Sequence, residues 1–147
     1  MEALSTSPVR YLTLFAFSVE NWQRPKEEVD ALMDLLKQFL KRESRLLVRN
    51  RIRLEIIGGR EELPEDVRQE LDRVQRETSE FEDHVLTLAL NYGSRTEVLD
   101  ATRRIAQDLA DGSLSEPPAT WEEYRPYLYT GDMPDPDLII RTSGEWR

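Results

Sequence analysis

Cysteine is absent from all 147 residues, and histidine occurs once, at position 84. Disulfides and thiolate metal centres are therefore excluded, a lone imidazole cannot build a zinc site, and the lack of thiols is compatible with a reducing cytosol. No apolar run exceeds about six residues, whereas a membrane-spanning helix needs roughly 20. The N-terminus also lacks the basic-then-apolar pattern of a signal peptide. Positive charge is in deficit: 20 Lys and Arg against 29 Asp and Glu leave a formal charge of −9. Nucleic acid is thereby disfavoured as the main partner, and any anion site must be a local cluster of cations. Glycine is sparse at six residues, and neither G-x-G-x-x-G nor G-x-x-x-x-G-K-S/T occurs, so dinucleotide and P-loop readings have no support. What is present, 39% hydrophobic and 33% charged residues, suits a soluble globular domain with a real core.

Hydrophobic periodicity predicts strands alternating with helices. Tyr11–Phe17 is an apolar run of strand length, and Val29, Leu32, Met33, Leu36, Phe39 and Leu40 recur at helical spacing after it. Ile52–Ile56 alternates apolar and charged residues like a half-exposed strand, and Gly58-Gly59 ends it. A second helix is expected from Pro64 to about Phe81, with Val67, Leu71 and Val74 inward. Val85–Leu90 is nearly continuous in apolar residues, as befits a strand covered on both faces. A third helix opens at Ser94-Arg95-Thr96-Glu97, which has capping-box spacing, and carries Val98, Leu99, Thr102, Ile105, Ala106 and Leu109 to Asp111-Gly112. Thr120–Glu123 repeats the pattern before a short helix, and Leu138–Ile140 is expected to be a fourth strand. This order predicts a three-layer α/β/α domain around a mainly parallel sheet, one domain over 1–147. Phe15, Phe17, Phe39 and Trp121 are core candidates, and His84 belongs at a strand start away from the site.

The chemistry concentrates where strands end. Ser18–Arg24, Asn91–Arg95 and Arg141–Arg147 are polar exits, and in a parallel sheet they open on one edge, where ligands bind. Arg24, Arg141 and Arg147 are expected to converge on one anion through charge-assisted, bidentate contacts. With Pro25 at the first helical position, Arg24 falls at the cap, where its side chain offers no acceptor but grips a phosphate well. Trp22, inside the polar loop, is placed to wall an apolar ligand tail. Glu27-Glu28 and Glu122-Glu123 sit in first helical turns, where the helix dipole accounts for them.

Phe15-Ala16-Phe17-Ser18-Val19-Glu20-Asn21-Trp22-Gln23-Arg24-Pro25, Ala89-Leu90-Asn91-Tyr92-Gly93-Ser94-Arg95 and Asp135-Pro136-Asp137-Leu138-Ile139-Ile140-Arg141-Thr142-Ser143-Gly144-Glu145 together resemble the cis-prenyltransferase family, of the bacterial undecaprenyl diphosphate synthase type. The resemblance runs the length of the chain. It implies Mg²⁺-dependent condensation of isopentenyl diphosphate with an allylic diphosphate to a long Z-polyprenyl diphosphate, a precursor of the lipid carrier for cell-wall glycans. By position, Arg141 and Arg147 resemble the residues that hold the isopentenyl diphosphate headgroup. Asn21 resembles the residue that assists proton removal, which an amide does by positioning or relay rather than as a base. Ser18, Val19, Glu20, Trp22 and Arg24 align with the substrate-binding segment. A homodimer, a cytoplasmic location and peripheral membrane contact through the lipid product are implied in the same way.

The resemblance also implies departures. The family's Asp-Gly-Asn-Gly-Arg-Trp loop, which binds the allylic diphosphate and Mg²⁺, falls before Met1, and the serine of its Arg-x-Ser and a metal-binding glutamate fall after Arg147. No metal ligand is therefore assigned. The expectation is a fragment incomplete at both ends, lacking the family's first strand and inactive by itself; the alternative is a non-catalytic binding or regulatory subunit with the same fold.

Overall fold

The computed structural model describes position 4 and residues 6–141. Its elements are β1 (Tyr11–Ser18), a 3-10 turn (Val19–Gln23), α1 (Lys26–Arg49), β2 (Ile52–Ile57), α2 (Glu65–Thr78), β3 (His84–Tyr92), α3 (Ser94–Asp111), α4 (Trp121–Tyr124) and a second 3-10 turn (Arg125–Tyr127). The chain forms two compact units, Met1–Asp100 and Ala101–Arg147.

The first unit is built on a wholly parallel three-stranded sheet in the order β1-β3-β2. The α/β expectation is met, and each strand runs within two residues of its apolar pattern. β3 takes the centre, and as a strand flanked on both sides and covered on both faces it is buried from Val85 to Asn91 without a break. In α1 the buried residues Val29, Met33, Leu40, Ser44 and Leu47 fall on one stripe, and in α2 the stripe is Val67, Leu71, Val74 and Thr78. These stripes close on each other and on Leu54 of β2, with Leu71 and Leu86 fully buried, each such leucine contributing about 1.5–3 kcal/mol.

An edge strand leaves backbone groups without ladder partners, and β2 covers one of them with a side chain. The Leu54 N–H donates to Thr78 Oγ1 at 3.1 Å, while the same hydroxyl donates to the Val74 carbonyl at 2.9 Å. The last turn of α2 thus satisfies a donor of the strand it covers.

Several expectations are corrected. Leu138–Ile140 is not a strand: the three side chains are 75–78% exposed and lie outside the three-stranded sheet. Apolar β-branched residues favour a strand only where a neighbouring ladder and cover exist, which periodicity does not report. Phe15 and Trp121 are exposed rather than core, since Phe15 points off the outer strand and Trp121 stacks on Tyr124 in a one-turn helix. In α3 Val98 and Leu99 are exposed, and the buried residues are Glu97, Ala101 and Ile105. That helix starts at Ser94 itself, with the Glu97 N–H donating to the Gly93 carbonyl. Pro25 is the N-cap of α1 rather than its first residue, so Arg24 instead ends the 3-10 turn, its N–H donating to the Asn21 carbonyl at 3.1 Å.

In the second unit the Tyr127 hydroxyl donates to Asp108 at 2.9 Å, Arg104 lies over the Tyr129 ring, and Arg125 bonds the Met133 carbonyl. Thr120 caps α4, its hydroxyl accepting the Glu123 N–H as its spacing predicts.

Candidate functional site

Parallel pairing brings the ends of all three strands to one edge of the first unit. Ser18 is level with Tyr92, and Ile57 with Ala89, so the segments 18–24, 58–62 and 91–93 are neighbours. Their approach is close. A β-carbon on Gly93 would meet Val19 Cγ2 at 2.8 Å, and one on Gly58, whose φ is +107°, would meet the Leu90 carbonyl oxygen at 2.0 Å. The Gly59 N–H then donates to the Asn91 carbonyl at 3.2 Å, tying the exit of β2 to that of β3.

The Ser18–Arg24 segment is a tight turn held from within. Asn21 Oδ1 accepts the Ser18 N–H at 2.8 Å, closing the 3-10 turn on itself. Trp22 reaches back over the sheet, packing edge-on against buried Phe17 with centroids 4.9 Å apart. Its indole Nε1–H donates to Asn91 Oδ1 at 2.7 Å. Asn91 Nδ2 in turn donates to a Glu62 carboxylate oxygen. One hydrogen-bonded chain therefore runs from the β1 exit through β3 to the β2 exit.

Arg24 is solvent-facing at the end of the turn, with Nη1 3.7 Å from Glu28 Oε2. Ion pairs this long and exposed are worth about 0–1 kcal/mol, so an anion of higher charge displaces the carboxylate easily. Glu20 is exposed and Val19 is half-buried beneath Gly93. Ser18, Val19, Glu20, Asn21, Trp22 and Arg24 thus share one turn. Arg141 is exposed in the second unit, and Arg147 lies outside the described residues. His84 is at a strand start, its Nδ1 2.9 Å from the Val9 carbonyl oxygen, at the opposite end of the sheet from these exits.

Next to the cluster, the Tyr92 hydroxyl donates to Glu97 Oε2 at 2.7 Å and its ring meets Phe15 edge-on. Burial, reinforced by the bond to Glu97 and that carboxylate's charge, pushes the Tyr92 phenol well above its ordinary value, so it stays a neutral donor. Among the described residues no three His, Cys, Asp or Glu side chains cluster to hold a metal ion, and no Mg²⁺ ligand is assigned to any of them. Asn91 and Tyr92 announced themselves as polar residues ending an apolar run. Glu62 had no such signal, because Glu61-Glu62 after a glycine pair reads as an ordinary solvated loop.

The chain matches a family profile described as "Putative undecaprenyl diphosphate synthase" over residues 1–147. It is 52% identical over 139 residues to an isoprenyl transferase of Thermotoga maritima, covering 95% of this chain and 59% of that protein. With an isoprenyl transferase of Geobacter sulfurreducens it shares 47% over 147 residues, covering 100% of this chain and 60% of the relative. Among solved structures, lavandulyl diphosphate synthase from Lavandula x intermedia in complex with dimethylallyl diphosphate superposes with a TM-score of 0.87 at 30% identity, over 94% of this chain and 60% of that one. The chain spans about three fifths of the length of these proteins.

Proposed function

Since the chain belongs to the undecaprenyl diphosphate synthase family of isoprenyl transferases, we propose that its strand-exit cluster is the isopentenyl diphosphate site of a cis-prenyltransferase. The reaction is condensation of isopentenyl diphosphate with an allylic diphosphate, and the product a long-chain Z-polyprenyl diphosphate used as a cell-wall lipid-carrier precursor. The observation that carries the reading is the Ser18–Arg24 turn, closed by Asn21 and anchored by Trp22. The dimethylallyl diphosphate held by the lavandulyl diphosphate synthase structure supports an allylic diphosphate as the second substrate.

The geometry suggests a division of labour. Arg24 ends a turn whose backbone is held by Asn21, which sets its exposed fork at the strand exits for bidentate contact with a diphosphate. Asn21 already accepts the Ser18 N–H through Oδ1, so its contribution is to hold the reacting carbon in place rather than to take a proton alone. Trp22, half-buried and seated on Phe17, supplies an apolar wall for the isopentenyl tail. Arg141 and Arg147 are proposed to complete the grip on the headgroup. A cytoplasmic homodimer touching the membrane through its lipid product completes the proposal; no described helix is long and apolar enough to cross a bilayer.

Calorimetric titration with isopentenyl diphosphate tests the reading. Arg24→Ala and Arg141→Ala should each lose affinity by roughly tenfold or more, the value of one charged hydrogen bond. Identical heats from the parent and both variants would refute the site.

A further inference from the structure

Asn91 lies at an irregularity of the β1–β3 ladder, where the register slips by one at Phe17↔Leu90 and returns at Ser18↔Tyr92, leaving both Ala16 and Asn91 without a partner in the ladder. It adopts a left-handed conformation with φ +48°, and it is only 3% exposed. Glycine is the least strained residue at such a left-handed position, and asparagine is among the few others that adopt it. The amide is used on both sides. An indole N–H can only donate and a carboxylate can only accept, so a side chain between Trp22 and Glu62 must accept at one end and donate at the other. A carboxylate of the same shape lacks the donor, and an aliphatic residue lacks both.

We propose that Asn91 is a positioning residue for prenyl transfer: bridging the Trp22 indole to the Glu62 carboxylate, it sets the orientation of the 18–24 turn and thereby of Asn21 and Arg24. Trp22 lies between those two residues in a five-residue turn, so pinning its ring fixes the backbone on both sides. Glu62 takes part at a distance, as the acceptor that holds the amide in the orientation the indole needs. The proposal rests on the reading of the 18–24 turn as a diphosphate-binding segment, and it adds to that reading a residue on a different strand.

The test uses four variants, read by calorimetry with isopentenyl diphosphate and by hydrogen exchange of the Trp22 indole N–H, assigned with Trp22→Phe. Asn91→Gly keeps the left-handed backbone and removes only the amide; it should bind about tenfold more weakly, with the indole losing protection. Asn91→Asp sets a carboxylate against Glu62 and should bind at least as weakly. Glu62→Gln alone should be nearly neutral, since its amide still offers an acceptor. Combining Asn91→Asp with Glu62→Gln restores a donor facing an acceptor and should recover affinity to within about threefold of the parent. Protein fold is monitored by the thermal midpoint. An Asn91→Gly variant with parental affinity and a protected indole overturns the proposal, and so does a double variant no better than Asn91→Asp. If the parent itself gives no heat, the isopentenyl diphosphate reading falls, and unchanged indole exchange in Asn91→Gly then overturns the clamp separately.

Discussion

Gly58 Cα faces the Leu90 carbonyl so closely that a β-carbon there would lie 2.0 Å from its oxygen. The contact joins the exit of an outer strand to the backbone of the central one. Gly58→Ala should therefore destabilise the protein by roughly 3 kcal/mol, combining the steric overlap with the strain of an L-residue at φ +107°. Urea unfolding measures it; a loss under about 1 kcal/mol would mean that the two exits separate readily.

Thr78 gives a second prediction about the fold. Thr78→Val preserves shape but leaves the buried Leu54 N–H without its acceptor, at a cost of about 1–3 kcal/mol. Hydrogen exchange at the Leu54 amide should accelerate along with the fall in stability. An unchanged amide would show that the strand holds this group by other means.

Lys37 and Asp66 form an ion pair from α1 to α2. The hydrogen bond from Lys37, the largest influence, holds the Asp66 carboxyl below its ordinary 3.8 and outweighs desolvation. A carboxyl depressed in the folded state adds stability above its unfolded value and loses it as pH falls through the folded one. Lys37 is raised above 10.5, chiefly by the same bond, so its share disappears as pH climbs past that value. The unfolding midpoints of the parent and Asp66→Asn should accordingly differ most near neutrality and converge well below pH 3.8. A constant difference across the acid range would assign Asp66 no such linkage.

Glu28 competes with a bound anion for Arg24 across 3.7 Å. Glu28→Gln should tighten isopentenyl diphosphate binding by about two- to fivefold, the range expected from releasing an exposed pair. Weaker binding in a folded variant would mean that the carboxylate instead orients the guanidinium for its ligand.

Local sequence determined what depends on neighbours along the chain. The stripe Val29–Leu40 made an amphipathic helix, the nearly continuous apolar run Val85–Leu90 made a strand covered on both faces, and the polar residues after Phe17 and Leu90 marked the edge where a ligand would bind. Only tertiary structure decided which apolar segments found cover. Leu138–Ile140 and Phe15 have the composition of buried strand residues and remain exposed, because burial requires a packed neighbour that composition does not supply. The same holds for the hydrogen-bonded chain through Asn91. Trp22 and Asn91 are 69 positions apart and Asn91 and Glu62 are 29 apart, and only the pairing of the strands brings donor and acceptor together. Periodicity reports only which face a residue takes, whereas hydrogen bonding depends on ångströms, so the clamp existed only once the three strands were in register.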